Sequence, residues 1–143
     1  SRVQETPIGA RTNIGPWTYL RPGNEFGEDA KAGAFVEMKK AHIGNGTKVP
    51  HLSYVGDAQL GDHTNIGGGT ITANYDGVHK NSTSIGSVCH VGAGNLFVAP
   101  VEVGDNVTTG AGSVVRHAVP SDTMVYSENT QHNVEGWKPA WER

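Results

Sequence analysis

The sequence predicts an all-β fold, a solenoid of short parallel strands, and three observations predict it. Apolar residues, most of them followed by glycine, recur every six residues from Ile8 to Val115. The fifth position of each hexad is usually small or β-branched, as at Thr12, Thr47 and Ser113. No helix repeats at six, and an amphipathic strand repeats at two. A six-residue repeat is typical of a solenoid whose units bury their apolar sides only by stacking.

Three hexads make one turn of a triangular prism, so residues about 18 apart are expected to stack on one face. We predict that face A holds the hexads beginning at Ile14, Ala32, Val49, Ile66, Val91 and Thr109. Face B holds those beginning at Leu20, Met38, Val55, Thr72, Phe97 and Val115. Face C holds those beginning at Ile8, Phe26, Ile43, Leu60, Ile85 and Val103. The hexads before Ile43 and Leu60 are one residue short, which a corner can absorb.

This register requires a loop at about 78–84 that leaves the prism. Its neighbourhood contains Asp76-Gly77 and Lys80-Asn81-Ser82, which favour turns. The β-helix is predicted over 1–119 and an irregular C-terminal tail over 120–143, because no repeat follows Val119-Pro120.

The gross composition is that of one domain. The chain has 143 residues, of which 36% are hydrophobic, and a net charge of −3. That charge gives no indication of a nucleic-acid or membrane partner. The single cysteine excludes an internal disulfide and fits a reducing, cytoplasmic location. The sequence opens at Ser1, close to the first repeat, so we expect it to be a piece of a longer protein.

Several motifs go beyond a generic repeat. They are Val-Pro-His-Leu-Ser-Tyr-Val-Gly-Asp at 49–57, Asn-Ile-Gly-Gly-Gly-Thr-Ile-Thr-Ala-Asn-Tyr-Asp-Gly at 65–77, Leu-Arg-Pro-Gly at 20–23, Gly-Ala-Phe-Val-Glu-Met-Lys-Lys at 33–40, Val-Ala-Pro-Val at 98–101 and Glu-Gly-Trp at 135–137. Together they resemble, over essentially the whole chain, a bacterial family of bifunctional enzymes. These join an N-acetylglucosamine-1-phosphate uridyltransferase to a C-terminal glucosamine-1-phosphate N-acetyltransferase, and this chain resembles the acetyltransferase domain.

The resemblance implies a left-handed parallel β-helix that forms a homotrimer with active sites between subunits. It implies acetyl transfer from acetyl-CoA to the amine of glucosamine 1-phosphate, for UDP-N-acetylglucosamine and cell-wall precursor synthesis. No metal is required for this domain, and a uridyltransferase domain is expected in the full-length protein. Two alternatives stay open, an acyltransferase for another amino sugar and a trimerisation module without catalysis.

The same resemblance assigns roles to individual residues. It implies His51 as general base, Glu37 as the carboxylate that supports it, and Asn74 at the acetyl end of the site. The implied sugar-phosphate contacts are Arg21, Lys39, Tyr54, Asn65 and Lys80. The implied CoA contacts are Gly68, Asn74, Tyr75, Ala93 and Ala111. Ala93 lacks the hydroxyl that many relatives carry, and Ser82 and Glu128 stand where basic residues are frequent.

The predicted register supports part of this assignment independently. Arg21 and Lys39 are second in successive face B hexads, so they should lie one rung apart, about 5 Å between backbones. Two cations at that distance repel each other, and a phosphate bound between them would make the net electrostatic interaction favourable. The alternative is a pair of solvated surface cations that splay apart.

Third positions on face A form a second alignment. They are His51, Gly68, Ala93 and Ala111, a strip roughly 15 Å long over successive rungs on which an extended pantetheine arm could lie. Small residues there could also serve tight trimer packing. The remaining histidines occupy different hexad positions, so we expect no site of converging imidazoles for zinc. Cys89 is predicted to point into the core.

Overall fold

The computed structural model describes residues 1–143 and contains seventeen short strands and one 3-10 helix, Ala140–Glu142. The strands are β1 (Arg2–Val3), β2 (Asn13–Ile14), β3 (Tyr19–Leu20), β4 (Glu25–Phe26), β5 (Lys31–Ala34), β6 (Glu37–Ile43), β7 (Lys48–His51), β8 (Tyr54–Leu60), β9 (Asn65–Ile66), β10 (Ile71–Ala73), β11 (Thr83–Ile85), β12 (His90–Val91), β13 (Leu96–Val98), β14 (Val101–Val103), β15 (Thr108–Thr109), β16 (Val114–Val115) and β17 (Met124–Val125).

All pairings between these strands are parallel. Face A is a seven-stranded sheet of order β17-β15-β12-β9-β7-β5-β2. Face B follows the order β1-β3-β6-β8-β10-β13-β16, and β4, β11 and β14 pair along face C of the same hydrogen-bonded sheet. The long strands β6 and β8 bend from face B into face C. The predicted parallel β-solenoid is therefore confirmed.

The predicted register is also confirmed on all three faces. On face B, Leu20 pairs with Met38 and Met38 pairs with Val55. On face C, Ile43 pairs with Leu60, so the short hexads are absorbed without a slip in pairing. A slip of one residue would turn every core side chain outward, and the buried first positions show that none occurs.

Polar side chains also line the interior, in hydrogen-bonded columns. Thr47 Oγ1 donates to the carbonyl of Gly61 and accepts the N–H of Thr64. Cys89 occupies the corresponding place two rungs on, is fully buried as predicted, and its Sγ lies 3.2 Å from the carbonyl oxygen of Gly104. These bonds satisfy polar groups that the narrow core removes from water.

A ladder of hydrogen bonds from backbone N–H groups to side chains runs along face C, and it explains why Gly44, Gly61, Gly86 and Gly104 are followed by Asn, Asp, Ser and Asp. The N–H of Asp62 donates to Ser87 Oγ at 2.9 Å, and a Cβ on Gly61 would lie 2.5 Å from that same oxygen. Equivalent bonds run from the N–H of Glu28, Asn45, Ser87 and Asp105 to the side chains of Asn45, Asp62, Asp105 and Ser121. Glycine leaves the space that the side chain of the next rung occupies.

Both predicted boundaries differ from the structure. The loop spans 74–82 rather than 78–84, because Thr83 already pairs with Ala58 in β11 and is fully buried. The solenoid also continues past residue 119, since β17 pairs with β15. Asp122 takes the left-handed backbone conformation (φ 59°) of the prism corners, so the chain turns one more corner before the exposed tail.

No helix in the structure is long and apolar enough to cross a membrane.

Candidate active site

Arg21 and Lys39 stack as predicted, but each already has a carboxylate partner. The N–H of Arg21 donates to the carbonyl of Met38, which places the two cationic residues on adjacent rungs. Arg21 Nη1 lies 3.3 Å from Glu37 Oε2, and Lys39 Nζ lies 3.2 Å from Asp57 Oδ2. The mutual repulsion of the cations is therefore offset within the chain by two carboxylates that the sequence analysis did not pair with them.

The two ion pairs differ in burial. The side chains of Lys39 and Asp57 are 13% and 15% exposed, whereas those of Arg21 and Glu37 are 40% and 44% exposed. Charges shielded from water interact more strongly, and exposed pairs contribute little. Lys39 is consequently held in place, while the guanidinium of Arg21 can turn towards a ligand.

Asp57 also contacts Asn74, and this joins four side chains in what we call the Asp57 cluster (Lys39, Tyr54, Asp57 and Asn74). Asn74 Nδ2 donates to Asp57 Oδ2 at 2.7 Å and to Tyr54 Oη at 3.2 Å. The Tyr54 ring crosses the backbone at Gly56, where a Cβ would lie 2.6 Å from Tyr54 Cζ. Glycine at position 56 thus allows Tyr54 to reach Asn74.

His51 lies on the same turn as Tyr54, across one corner of the prism from this cluster. It ends β7 on face A, and two residues separate it from Tyr54 at the start of β8 on face B. Its imidazole is exposed and rests on Gly68, where a Cβ would lie 2.6 Å from His51 Cδ2. The contact between Glu37 and His51 that the resemblance implies is not formed within one chain, where Glu37 pairs with Arg21 instead.

The predicted face A column is present. Gly94 N donates to Gly68 O and Gly112 N donates to Ala93 O, both at 2.8 Å, which sets Gly68, Ala93 and Ala111 on consecutive rungs above His51. Glycine at positions 69, 94 and 112 turns the adjoining corner in the left-handed conformation. The strip beside His51 is therefore free of large side chains.

Asn65 and Lys80 form no side-chain hydrogen bond or ion pair with the Asp57 cluster within one chain, although the loop that carries Lys80 adjoins it through the N–H of Asn81, which donates to the carbonyl of Asn74 at 2.7 Å. Asn65 is exposed on face A, between Lys48 and His90 on the neighbouring strands. Lys80 lies in the loop, with Nζ 4.2 Å from the centroid of the Tyr75 ring, a cation–π geometry. A bridge between Tyr75 and Lys80 closes the loop.

The loop is further tied by Asp76. Its Oδ1 accepts the N–H groups of Val78 and His79, at 2.8 and 2.6 Å. These hydrogen bonds, led by that from His79, lower the pKa of Asp76 below its ordinary value of 3.8, because they favour the ionised carboxylate.

Sequence reasoning missed Asp57 as a site residue. It directly follows Gly56, which pairs with Lys39 on the next rung, so the predicted face B register already placed its backbone beside Lys39. No group of three or more His, Cys, Asp or Glu side chains is arranged to hold a metal ion.

Comparison with curated proteins places the chain beside one family. No family model matches it. It is 96% identical over all 143 residues to the bifunctional protein GlmU of Bifidobacterium longum (strain DJO10A), and 58% identical over 130 residues to that of Streptomyces griseus. It spans 31% of the length of the first and 27% of the second. The family resemblance indicated by the motifs is confirmed.

Solved structures with the same fold are more distant. A mutant of perosamine N-acetyltransferase from Caulobacter crescentus, in complex with CoA and GDP-perosamine, superposes with a TM-score of 0.70 at 22% identity, over 79% of this chain and 51% of that one. The acetyltransferase domain of PglB from Neisseria gonorrhoeae, in complex with acetyl coenzyme A, gives 0.70 at 24% identity, over 79% and 53%. These similarities support the fold.

Proposed function

We propose that this chain, a homologue over its whole length of one segment of the bifunctional GlmU proteins, transfers acetyl from acetyl-CoA to the amine of glucosamine 1-phosphate. The observation that carries the proposal is the Asp57 cluster, in which a shielded ammonium, a tyrosine hydroxyl and an oriented amide lie together, across one corner of the prism from an exposed histidine. That set offers a cation for a phosphate, donors and acceptors for a sugar, and a base.

The amine of an amino sugar is largely protonated near neutral pH, so it must lose a proton before it can attack. His51 would accept that proton, directly or through a water, a role that typically contributes about 10²- to 10⁴-fold in rate. The amine nitrogen then bonds to the thioester carbonyl carbon. The C–S bond breaks, and CoA leaves as a thiol after taking up a proton.

The other residues would bind the two substrates. Lys39 and the reorientable Arg21 suit the sugar phosphate, since cations with several donors bind phosphate oxygens well; Tyr54, Asn65 and Lys80 would complete the acceptor site. Asn74 and Tyr75 would contact the acetyl end. The pantetheine arm of CoA would lie along the face A column of Gly68, Ala93 and Ala111, because the strip lacks side chains that would block it.

The assembly we propose is a homotrimer whose active sites lie between subunits. Trp17, Phe35 and Leu52 support it, because these large apolar side chains stand exposed at one corner on consecutive rungs and exposed apolar patches mark interaction surfaces. Asn65 and Lys80, which form no hydrogen bond with the Asp57 cluster in one chain, would approach the site from a neighbour. The cytoplasm is the expected compartment.

Release of CoA thiol from acetyl-CoA, with and without glucosamine 1-phosphate, tests the function. We expect release that depends on the acceptor, that falls by about 10²-fold or more in His51→Ala, and that persists in His90→Ala. His90 is an exposed histidine on the same sheet, so it controls for loss of an imidazole. Absence of acceptor-dependent release in a folded wild-type chain would contradict the proposal, as would full turnover in His51→Ala.

A further inference from the structure

We infer that Asp57 is a positioning residue that holds Lys39 and Asn74 in their working geometry at once. The inference rests on the function proposed above, because it assigns Asp57 a role in that reaction. It starts from a single atom: Asp57 Oδ2 lies 3.2 Å from Lys39 Nζ and 2.7 Å from Asn74 Nδ2. One carboxylate oxygen therefore connects the ammonium at the phosphate end of the site to the amide at the acetyl end.

The backbone at Asp57 is specialised for this contact. Its φ is 49°, in the left-handed region, at the corner where β8 turns from face B into face C. That conformation is unfavourable for most residues and is tolerated best by Gly, Asn and Asp. The corner thus admits a short carboxylate and directs it back over face B, where Lys39 and Asn74 lie on the two flanking rungs.

The carboxylate also fixes which way the Asn74 amide points. An ionised carboxylate only accepts hydrogen bonds, so the amide must present its nitrogen to Asp57. The second proton of Nδ2 goes to Tyr54 Oη. Both donors are then used, and Oδ1 accepts no hydrogen bond from another residue. An acceptor at that place can take an N–H of the attacking amine and aim its lone pair at the thioester.

Lys39 depends on the same oxygen. Its side chain is 13% exposed and Asp57 is its one ion-pair partner. A largely desolvated ammonium on a flexible stem is costly to hold in place without a counter-charge. Asp57 supplies that counter-charge and holds the ammonium in place before the phosphate arrives.

The test is Asp57→Asn, an isosteric change that removes the charge and, because the new amide can also donate, no longer dictates the orientation of Asn74. The matched control is Asp62→Asn, on the same turn of the solenoid, whose carboxylate accepts the N–H of Asn45 in the face C ladder. Both variants are compared with the wild-type chain for kcat, for KM towards each substrate, and for the urea midpoint of unfolding.

We expect Asp57→Asn to lower kcat about tenfold or more and to raise KM for glucosamine 1-phosphate several-fold, with KM for acetyl-CoA changed by less than about twofold. Asp62→Asn should keep wild-type kinetic constants and nearly wild-type stability, because an amide oxygen can still accept the N–H of Asn45, as the amide of Asn45 does for Glu28. Wild-type kinetics in Asp57→Asn, or losses of activity that simply follow stability in both variants, would overturn the inference.

A second readout separates this inference from the proposed function. The side-chain amide resonance of Asn74, observed in ¹⁵N-labelled chain, should move in Asp57→Asn and stay in place in Asp62→Asn. If the wild-type chain released no CoA with glucosamine 1-phosphate, the proposed function would fail while this resonance still decided the role of Asp57. An Asn74 resonance unmoved by Asp57→Asn would refute the positioning role.

Discussion

The surroundings of Lys39 give it a different expected role from that of Lys40, the next residue in the chain. Lys39 and Lys40 are adjacent on β6, yet Lys39 is shielded and paired with Asp57, whereas Lys40 points outward from a left-handed corner (φ 47°) and has no ion pair. Two lysines with the same chemistry are therefore expected to differ in function. Only the first lies where a sugar phosphate would meet a fixed charge.

Replacing Lys39 by Met keeps the apolar stem and removes the charge. We expect KM for glucosamine 1-phosphate to rise by about tenfold or more, and KM for acetyl-CoA to change little, because a charge-assisted hydrogen bond to the phosphate is lost. Steady-state kinetics on both substrates measure this, with Lys40→Met as the control. Equal increases for both substrates would show that Lys39 does not bind the phosphate.

The buried hydroxyl of Thr83 has no hydrogen-bond partner, whereas the buried hydroxyl of Thr47 has two. The neighbours of Thr83 across the sheet are Ala58 and Val101, which offer its side chain no acceptor. Thr83→Val should therefore raise the free energy of unfolding by about 1 kcal/mol, whereas Thr47→Val should lower it by about 1–3 kcal/mol. Urea denaturation of the two variants checks the opposite signs, and a loss of stability in both would contradict this account.

Among the elements, the outer part of the loop, 75–81, is held by its own hydrogen bonds rather than by the prism. Asp76 accepts two backbone N–H groups within it, and Lys80 stacks on Tyr75. The strands on either side, in contrast, are fixed by pairing with neighbouring rungs. The loop should therefore respond to conditions that leave the strands intact.

Acid is such a condition, because the pKa of Asp76 is lower in the folded loop than its ordinary value of 3.8. A depressed folded-state pKa stabilises the loop above the unfolded value, and that stabilisation is lost as pH falls through the folded value. We expect hydrogen-exchange protection of the Val78 and His79 amides to decrease as pH falls below about 4, with the amides of β8 as an internal reference. Asp76→Ala should abolish this pH dependence, and protection that stays constant down to pH 2 would contradict it.

At the scale of the whole molecule, two of the prism's corners carry different surfaces. One presents Trp17 and Phe35, whose rings stack at 5.6 Å between centroids, followed by Leu52. Another presents mainly polar residues, with Val88 as its exposed apolar member. Bulky residues in the left-handed conformation are uncommon because that backbone conformation is unfavourable for them. Three such residues on consecutive rungs fit a surface that a second copy of the chain covers.

We expect the wild-type chain to sediment at three times its mass of 15.1 kDa. Phe35→Glu should weaken that trimer by placing a charge in its interface, where an unpaired charge is strongly unfavourable. Val88→Glu, a similar change at the other corner, should leave it intact. Analytical ultracentrifugation over a range of concentrations distinguishes these outcomes, and a wild-type monomer at every concentration would refute the shared-site assembly.

The fold was predictable from the sequence because a solenoid repeats one local rule. Hydrogen bonds to the next rung fix the backbone every six residues, so the period predicted the faces and the register, and the period together with the loop that the resemblance helped to place predicted the column from His51 to Ala111. The ends of the loop and of the solenoid were harder to predict, because Thr83 and Val125 enter the sheet without a clear repeat on both sides. Their places depend on pairing with distant strands.

The sequence by itself determined the periodic backbone, the buried positions and the family motifs, since these follow from local spacing and residue type. Only the tertiary structure decided which charged side chains pair: Glu37 forms its ion pair with Arg21, and Lys39 forms its ion pair with Asp57. The physical reason is that a side chain's partner depends on the direction in which each corner points it and on its shielding from water. Spacing along the chain brings residues to neighbouring rungs, and the geometry of the corner then selects the contact.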